Sequence, residues 1–519
     1  MKNSYHILFY WGLLLGMNIN SQNLYIDSGG SIFASSEARV TVENNLKVDS
    51  LGSFVIKNAT LKVGGEDNEG TIKYIKTLEK NSNWQTFASP VKGQNVQKFA
   101  ERIYLDSGEN SGENNMGLQR YNTTSDNWEF YQRSSNDWGE FPIGEAYFIK
   151  LRDIDNSKDD ESTFYDISFE GSIPNTSVEF NAQNNVVDGS QNRYRFIGNP
   201  YISYIDTNAE LNSLMKHNDE AMQENKTLYF FDTAEWTFTE TNYGTDLKTI
   251  GPGDAFFVEI KDDKKFIFPK NIIKHERKSQ HKSKNSTKKT IHLRVKDNTT
   301  GSYKRTRIFY TDGASKGNDP GYDSKMFYNG GNYFGIYTHL LKDNLGDDYG
   351  VQSLPQNDYE KMIIPIGINA TTGTNITIST SIINLPAGIS VYLEDKETGI
   401  FTELNEESTF TTTLSSDLNG VGRFYLYTTS QVLDLIDTPI LNENISMYMT
   451  SVKNLRIVGV QNEQATLRVY NILGKKILNT HFIGNGLNDI ALPLNITSGI
   501  YIVQLTTSTK KLNKKINIE

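Results

Sequence analysis

Tyr194-Arg195-Phe196-Ile197-Gly198-Asn199-Pro200 repeats, 110 positions on, the pattern of Trp84-Gln85-Thr86-Phe87-Ala88-Ser89-Pro90. In both, a short aromatic and apolar run stops at a small residue followed by proline. That is how a strand enters a tight turn. Three more landmarks recur in the same order. Leu118-Gln119-Arg120-Tyr121-Asn122 aligns with Leu228-Tyr229-Phe230-Phe231-Asp232, and Trp128 with Trp236. Gly144-Glu145-Ala146-Tyr147-Phe148-Ile149 aligns with Gly253-Asp254-Ala255-Phe256-Phe257-Val258. Four landmarks at displacements of 108–110 mark an internal duplication. After each proline turn the spacing predicts a short helix, on Val96, Phe99, Ala100 and Ile103 in one copy and Leu211, Leu214 and Met215 in the other. Each copy therefore reads as strand, turn, short helix and a hairpin ending in an aromatic strand.

Working outward, the same strand-and-turn grammar fills the chain. Its 519 residues suit about three to five domains. The 28 Tyr and 26 Phe, with 40 Gly clustered among Asn, Asp, Thr and Ser, favour short strands over long helices. Before the duplicated region (79–273, copies about 79–180 and 190–273), residues 22–78 carry brief alternating runs such as Val40-Thr41-Val42 and Phe54-Val55-Ile56. These runs fit a small β-helix-like stack or an irregular sandwich equally well. After it, 274–289 has no apolar residue and seven Lys/Arg against one Glu, the composition of a basic linker. Its charge of +6 leaves −16 across the rest of a chain whose total is −10. Residues 290–432 resume short strands suited to a β-sandwich, 433–445 form a spacer, and 446–519 alternate again to the end. The expected fold is all-β: several β-sandwich or β-stack modules in series, with a duplicated β-rich unit and an Ig-like C-terminal unit.

Two ends speak of destination. Residues 1–21 start with Lys2 and continue through an apolar core, Ile7 to Leu15, before polar Asn18, Asn20 and Ser21. That core is the length of a signal-peptide centre and short for a membrane span, with cleavage expected before Gln22. No later stretch approaches 18 apolar residues, so no transmembrane span is expected in the mature chain. The chain has no cysteine, which excludes disulfide scaffolds, thiol nucleophiles and Cys-ligated metal sites. Its acidic balance argues against a nucleic-acid binder.

At the C-terminus three motifs occur in order. They are Val469-Tyr470-Asn471-Ile472-Leu473-Gly474-Lys475-Lys476-Ile477, then Thr497-Ser498-Gly499-Ile500-Tyr501-Ile502-Val503, then Lys514-Lys515-Ile516-Asn517-Ile518. Together they resemble the type A C-terminal sorting domain of the type IX secretion system of Bacteroidota. The family's opening Asn-Pro has no counterpart in Ile445-Ser446-Met447-Tyr448-Met449-Thr450. The resemblance implies a small β-sandwich that delivers a folded cargo across the outer membrane. The cargo is then released or attached to surface lipopolysaccharide. It nominates Tyr470, Asn471, Gly474, Lys475, Gly499, Tyr501, Lys514 and Lys515 as motif residues, and the secretion machinery as partner. Physically, Gly474 fits a hairpin position needing positive φ, and Tyr501 an inward-facing strand position. Residues 290–432, with Asp319-Pro320-Gly321-Tyr322-Asp323, Leu393-Glu394-Asp395-Lys396-Glu397-Thr398-Gly399 and Arg423-Phe424, resemble a module often placed before such domains.

Catalytic patterns are not evident. None of the seven histidines has metal-ligand spacing, and His292 and His481 read as surface or edge residues. No nucleophile elbow, phosphate loop or dinucleotide fingerprint occurs. Two acidic loops, Asp312/Asp319/Asp323 and Asp343/Asp347/Asp348, raise the question of Ca2+, but neither follows EF-hand spacing and both are expected to be solvated turns. Trp84, Trp128, Trp138 and Trp236 all fall in the duplicated region. Their counterparts keep bulk (Tyr194 for Trp84, Leu247 for Trp138), which predicts core packing over a sugar-stacking platform. The expectation is an exported, non-catalytic surface or secreted protein, adhesin-like or structural, with extracellular glycan or lipopolysaccharide as candidate partners. The rival reading is a glycan-binding protein or hydrolase with a site in the loops of 79–432.

Overall fold

The computed structural model describes residues 12–518 apart from 16, 36, 66–69, 80–82, 107–113, 124, 126, 136, 153–163, 175, 182–184, 188–189, 193, 208–212, 234–236, 246–247, 262–263, 277–287, 328–333, 361, 431–444, 452 and 509. About 58% of the chain is strand and 3% helix, so the fold is all-β as expected. It divides into two compact units, Met1–Asn285 and Ser286–Glu519.

The first unit opens with the stack. Gly12–Leu15, Ser31–Ser35, Ser53–Lys57 and Ile72–Glu79 pair in parallel, as do Asn18–Ser21, Arg39–Val42 and Thr60–Val63, and Leu24–Ile26 with Leu46–Val48. Three parallel ladders wound by one chain make a β-helix, which resolves the two readings left open for 22–78. Val40 lies opposite Leu61, and Ile32 opposite Phe54, so each coil sets its apolar residue over that of the next. The interior is a column of Ile32, Ala34, Val40, Val42, Leu46, Val48, Phe54, Ile56 and Leu61, all buried. Gly12–Leu15 and Asn18–Ser21, which fall in the stretch read from sequence as an export signal, pair in parallel with strands of this stack.

Two four-stranded sheets follow, with one strand order. Gln85–Ala88, Ala146–Ile149, Asn115–Asn122 and Asn127–Gln132 are neighbours in that sequence, and Tyr194–Gly198, Ala255–Glu259, Leu228–Asp232 and Thr237–Thr241 repeat it. Short helices, Val96–Ala100 and Leu214–His217, follow the first strand of each, capped by Asn95 and Ser213. The sheets meet through paired contacts at equivalent positions. The Ala88 amide donates to the Gly253 carbonyl at 2.9 Å, and the Gly198 amide to that of Gly144 at 2.8 Å. Tyr121 meets Phe257 edge-on at 4.9 Å, and its counterpart Phe231 meets Phe148 at 4.8 Å. Trp128 lies among Phe148, Phe196 and Phe257, Trp84 against Phe130 and Phe148, and Trp138 against Tyr131. Trp236 and Leu247 lie outside the described residues.

Of the basic run, the first three residues and the last two are described. Lys274 pairs through its backbone with Tyr204, and His275 sits between the hydroxyls of Thr41 at 2.8 Å and Thr60 at 2.7 Å. Glu276 bonds Arg39 at 2.9 Å. At the other end, Lys289 starts the strand Lys289–Asp297. The remainder of the run, with His281, and nearly all of the 433–445 spacer lie outside the described residues.

In the second unit, ten strands between Lys289 and Thr429 form one continuous path, and all of its halves feed a single core of Ile291, Ile308, Ile364, Ile376, Leu393 and Leu426. The Leu393–Gly399 segment and Arg423 meet there. Arg423 donates from Nε and Nη2 to both oxygens of fully buried Asp395, each at 2.9 Å. A bidentate pair satisfies a charge that burial alone would make costly.

Candidate functional site: the C-terminal sorting unit

The strands Ser446–Ser451, Asn454–Asn471, Gly499–Thr506 and Lys511–Ile518 form one sheet in that order, with Lys476–Ala491 paired to Asn454–Asn471. The nominated residues take three kinds of place in it. Asn471, Gly474 and Lys475 build a turn. The Asn471 side-chain oxygen accepts from the amides of Leu473 at 3.1 Å and Lys475 at 2.9 Å, and Gly474 has φ +76°. A side chain closing its own turn needs Asn or Asp, and the left-handed position favours glycine. Tyr470 pairs with Ile502 on the neighbouring strand.

Gly499 opens the next strand with φ +149°. Tyr501 turns inward, is buried, and donates its hydroxyl to the Thr497 carbonyl at 2.8 Å. Thus the loop before the strand is tied to the core by one side chain.

The two lysines part company. Period-two alternation sends Lys514 and Lys515 to opposite faces, opposite Val503 and Ile502 respectively. Lys515 is exposed. Lys514 is half-buried and donates to the Asn344 carbonyl of the preceding module at 3.0 Å. Burial holds its ammonium below the usual lysine range, opposed by Asp343.

Lys514 lines a cleft of about 240 Å³ where the sorting unit meets that module, together with His339, Asn344, Pro365 and Met447. Beside it Tyr337, Val421, Tyr448 and Val458 form an apolar cluster. Tyr448 lies so close to Gly346 that a Cβ there would come within 2.5 Å of its ring. Arg456 chelates Asp489 with two 2.8 Å bonds and reaches the Asn419 carbonyl at 3.3 Å. The sorting unit is therefore seated on its neighbour. Asn344, Tyr448 and Arg456 carry this seat and were not singled out in the sequence. The only signal for them is alternation, which marks a face and not its partner.

In the acidic loops one residue, Asp323, departs from the solvated turn expected, while Asp312 and Asp343 are exposed. Asp323 is fully buried, and its two oxygens accept the amides of Ser353 at 2.6 Å and Asp319 at 2.7 Å. Burial pushes its carboxyl up to about 7 against the pull of those donors. It braces a turn from inside and is not a solvated ligand. Asp347 pairs with Lys325 at 2.9 Å, and Asp348 with His339 Nε2 at 2.7 Å. His339 is likewise buried. Among the described residues no group of three or more His, Cys, Asp or Glu could hold a metal ion. No helix among them is long and apolar enough to cross a membrane.

Comparison with known proteins agrees with this assignment. Residues 449–519 match the secretion system C-terminal sorting domain. The chain is thus a type IX cargo, consistent with Bacteroidota, and is exported to the cell surface or secreted. Among curated proteins nothing matches. One similar solved structure is a biofilm associated protein, BSP domain, at 11% identity over 31% of this chain and 29% of that chain, TM-score 0.14. Another is dimeric latent PorU from Porphyromonas gingivalis, at 9% identity over 56% of this chain and 29% of that chain, TM-score 0.15. Less than a third of either protein is spanned, and at such TM-scores the likeness bears on neither fold nor function. Ahead of the sorting unit, the model of a domain of unknown function, DUF8693, matches residues 14–427, and the chain belongs to that family.

Proposed function

We propose that this cargo is a non-catalytic surface or secreted protein, adhesin-like or structural, whose β-modules serve as binding or spacer units. The supporting observation is how the duplicated region spends its aromatic residues. Rings that could stack on a sugar instead contact one another along the seam between two sheets, with half-buried Trp128 touching Phe148, Phe196 and Phe257. Filled modules in series suit mechanical reach and surface display. In this reading the two sheets are copies of one unit, residues 1–21 act as an export signal, and the partner is surface lipopolysaccharide or extracellular glycan.

The test is removal of 446–519 followed by cell fractionation. The truncated chain should stay inside the envelope, and its unaltered appearance in the medium would sink the sorting role. Attachment of cells lacking the whole gene, measured against complemented cells, tests the adhesin-like role. Equal attachment would reject it.

A further inference from the structure

The outward face of the sorting sheet has a composition unlike the rest of the chain. On its central strands Ile500 and Ile502 point outward and are 41% and 38% exposed, and Tyr470 lies beside Ile502. The adjoining hairpin tip adds Ile472 and Leu473, at 73% and 86% exposure. Monomeric surfaces scatter single apolar residues, but a contiguous group of this kind marks a contact site.

Cations frame that group. Lys515 sits across from Ile502 on one side, and Lys476 across from Tyr470 on the other. One step along the sheet, Arg468 faces Gln504, and one step further Lys511 faces Thr506. None of these rows contains Asp or Glu. Residues 446–519 hold nine Lys/Arg against three Asp/Glu, in a chain whose total charge is −10. Among those three, Asp489 is committed to Arg456, and Glu463 accepts from the Ser508 amide at 3.1 Å. Among the described residues, both carboxylates of this unit are thus engaged away from the rows of this face.

We propose that this face, and not the cleft side carrying Lys514, is the surface by which the secretion machinery holds the cargo, through a protein partner with an acidic rim around an apolar centre. The proposal rests on the sorting role described above. An apolar centre with a charged rim is the anatomy of protein contacts, where the buried middle supplies affinity and the rim supplies rate and register. A purely cationic face would suit an anionic lipid surface equally. The exposed Ile500, Ile502 and hairpin tip favour a protein. It also explains why the motif lysines are adjacent yet unequal: Lys514 seats the unit on its neighbour, while Lys515 faces the partner.

The test uses the full chain in its native host. Two exposed substitutions, Ile502→Ser and Lys515→Glu, and the milder pair Ile502→Thr and Lys515→Gln are compared with removal of 446–519. Export should fall about tenfold or more for the first pair and less for the second. Purified variants should melt as the parent does, since the replaced side chains are exposed. If removal of 446–519 blocks export while all four variants leave normally, the face proposal is wrong and the sorting role stands. If the truncated chain is itself exported normally, both fall together. Binding of the purified chain to lipopolysaccharide micelles, lost in the same variants, would reassign the face to a lipid and overturn the protein partner.

Discussion

His275 shows how far a single residue can depart from its local context. It opens a long polar, basic run that reaches no apolar residue before Ile291, yet burial between two coils, with Lys62 and Arg39 nearby, holds its imidazole down to about 4. The ordinary value is 6.5, so the unfolded chain takes up the proton first as pH falls. Folding stability is therefore complete above about pH 6.5 and declines as the pH is lowered toward 4. Replacing His275 by Gln keeps hydrogen bonding to Thr41 or Thr60 and removes the titration. Urea unfolding at pH 7, 5 and 4 should show a flatter pH dependence for the variant, and parallel curves would contradict the assignment. Gly474 and Tyr501 were legible in the sequence because turn chemistry and strand parity are local. The environments of His275, Asp323 and His339 were not. His275 meets Thr41 across 234 positions, and no pattern in either segment announces the meeting.

At the scale of elements, alternation identified strands without identifying their partners. Val40-Thr41-Val42 alternates in the same way whether it lies in a hairpin or a coil. Parallel pairing one coil further on, Val40 to Leu61, is what makes the first region a β-helix. The two four-stranded sheets were more legible, since each landmark had a second instance to align with. Their seam offers a sharp test. A Cβ on Gly198 would lie 2.6 Å from the Ala88 Cβ and 2.6 Å from the Asp254 carbonyl oxygen. Gly198→Ala must push the sheets apart, and a loss of about 1–3 kcal/mol is expected from overpacking. At Gly317 an added Cβ meets nothing nearer than 3.6 Å, so Gly317→Ala should be near neutral. Equal losses at the two sites in denaturant unfolding would mean that the Gly198 contact does not hold the seam.

At the scale of the whole molecule, the chain divides at Asn285 and Ser286, inside the basic run. Each unit has its own buried cores, so chains spanning 1–276 and 288–519 should each fold alone. Circular dichroism with thermal unfolding checks this: each piece should give strand signal and a cooperative transition. A piece without a transition would show that its core is incomplete. Within the second unit the sorting sheet is seated on the preceding module through Tyr448, Arg456 and Lys514, so no such independence is expected between 430 and 446.

Sequence alone determined that this protein is all-β, that its middle repeats a pattern, and that its C-terminus carries a sorting domain. Those properties reside in short-range order: period-two alternation, turn residues and motif spacing. Only the tertiary structure decided that the first strands coil in parallel, that the aromatic residues pay for a seam between sheets, and that Lys514 and Lys515 face different partners. These depend on which distant segments come to lie side by side. That choice is made by the summed burial of many residues, and no single stretch of the chain contains it.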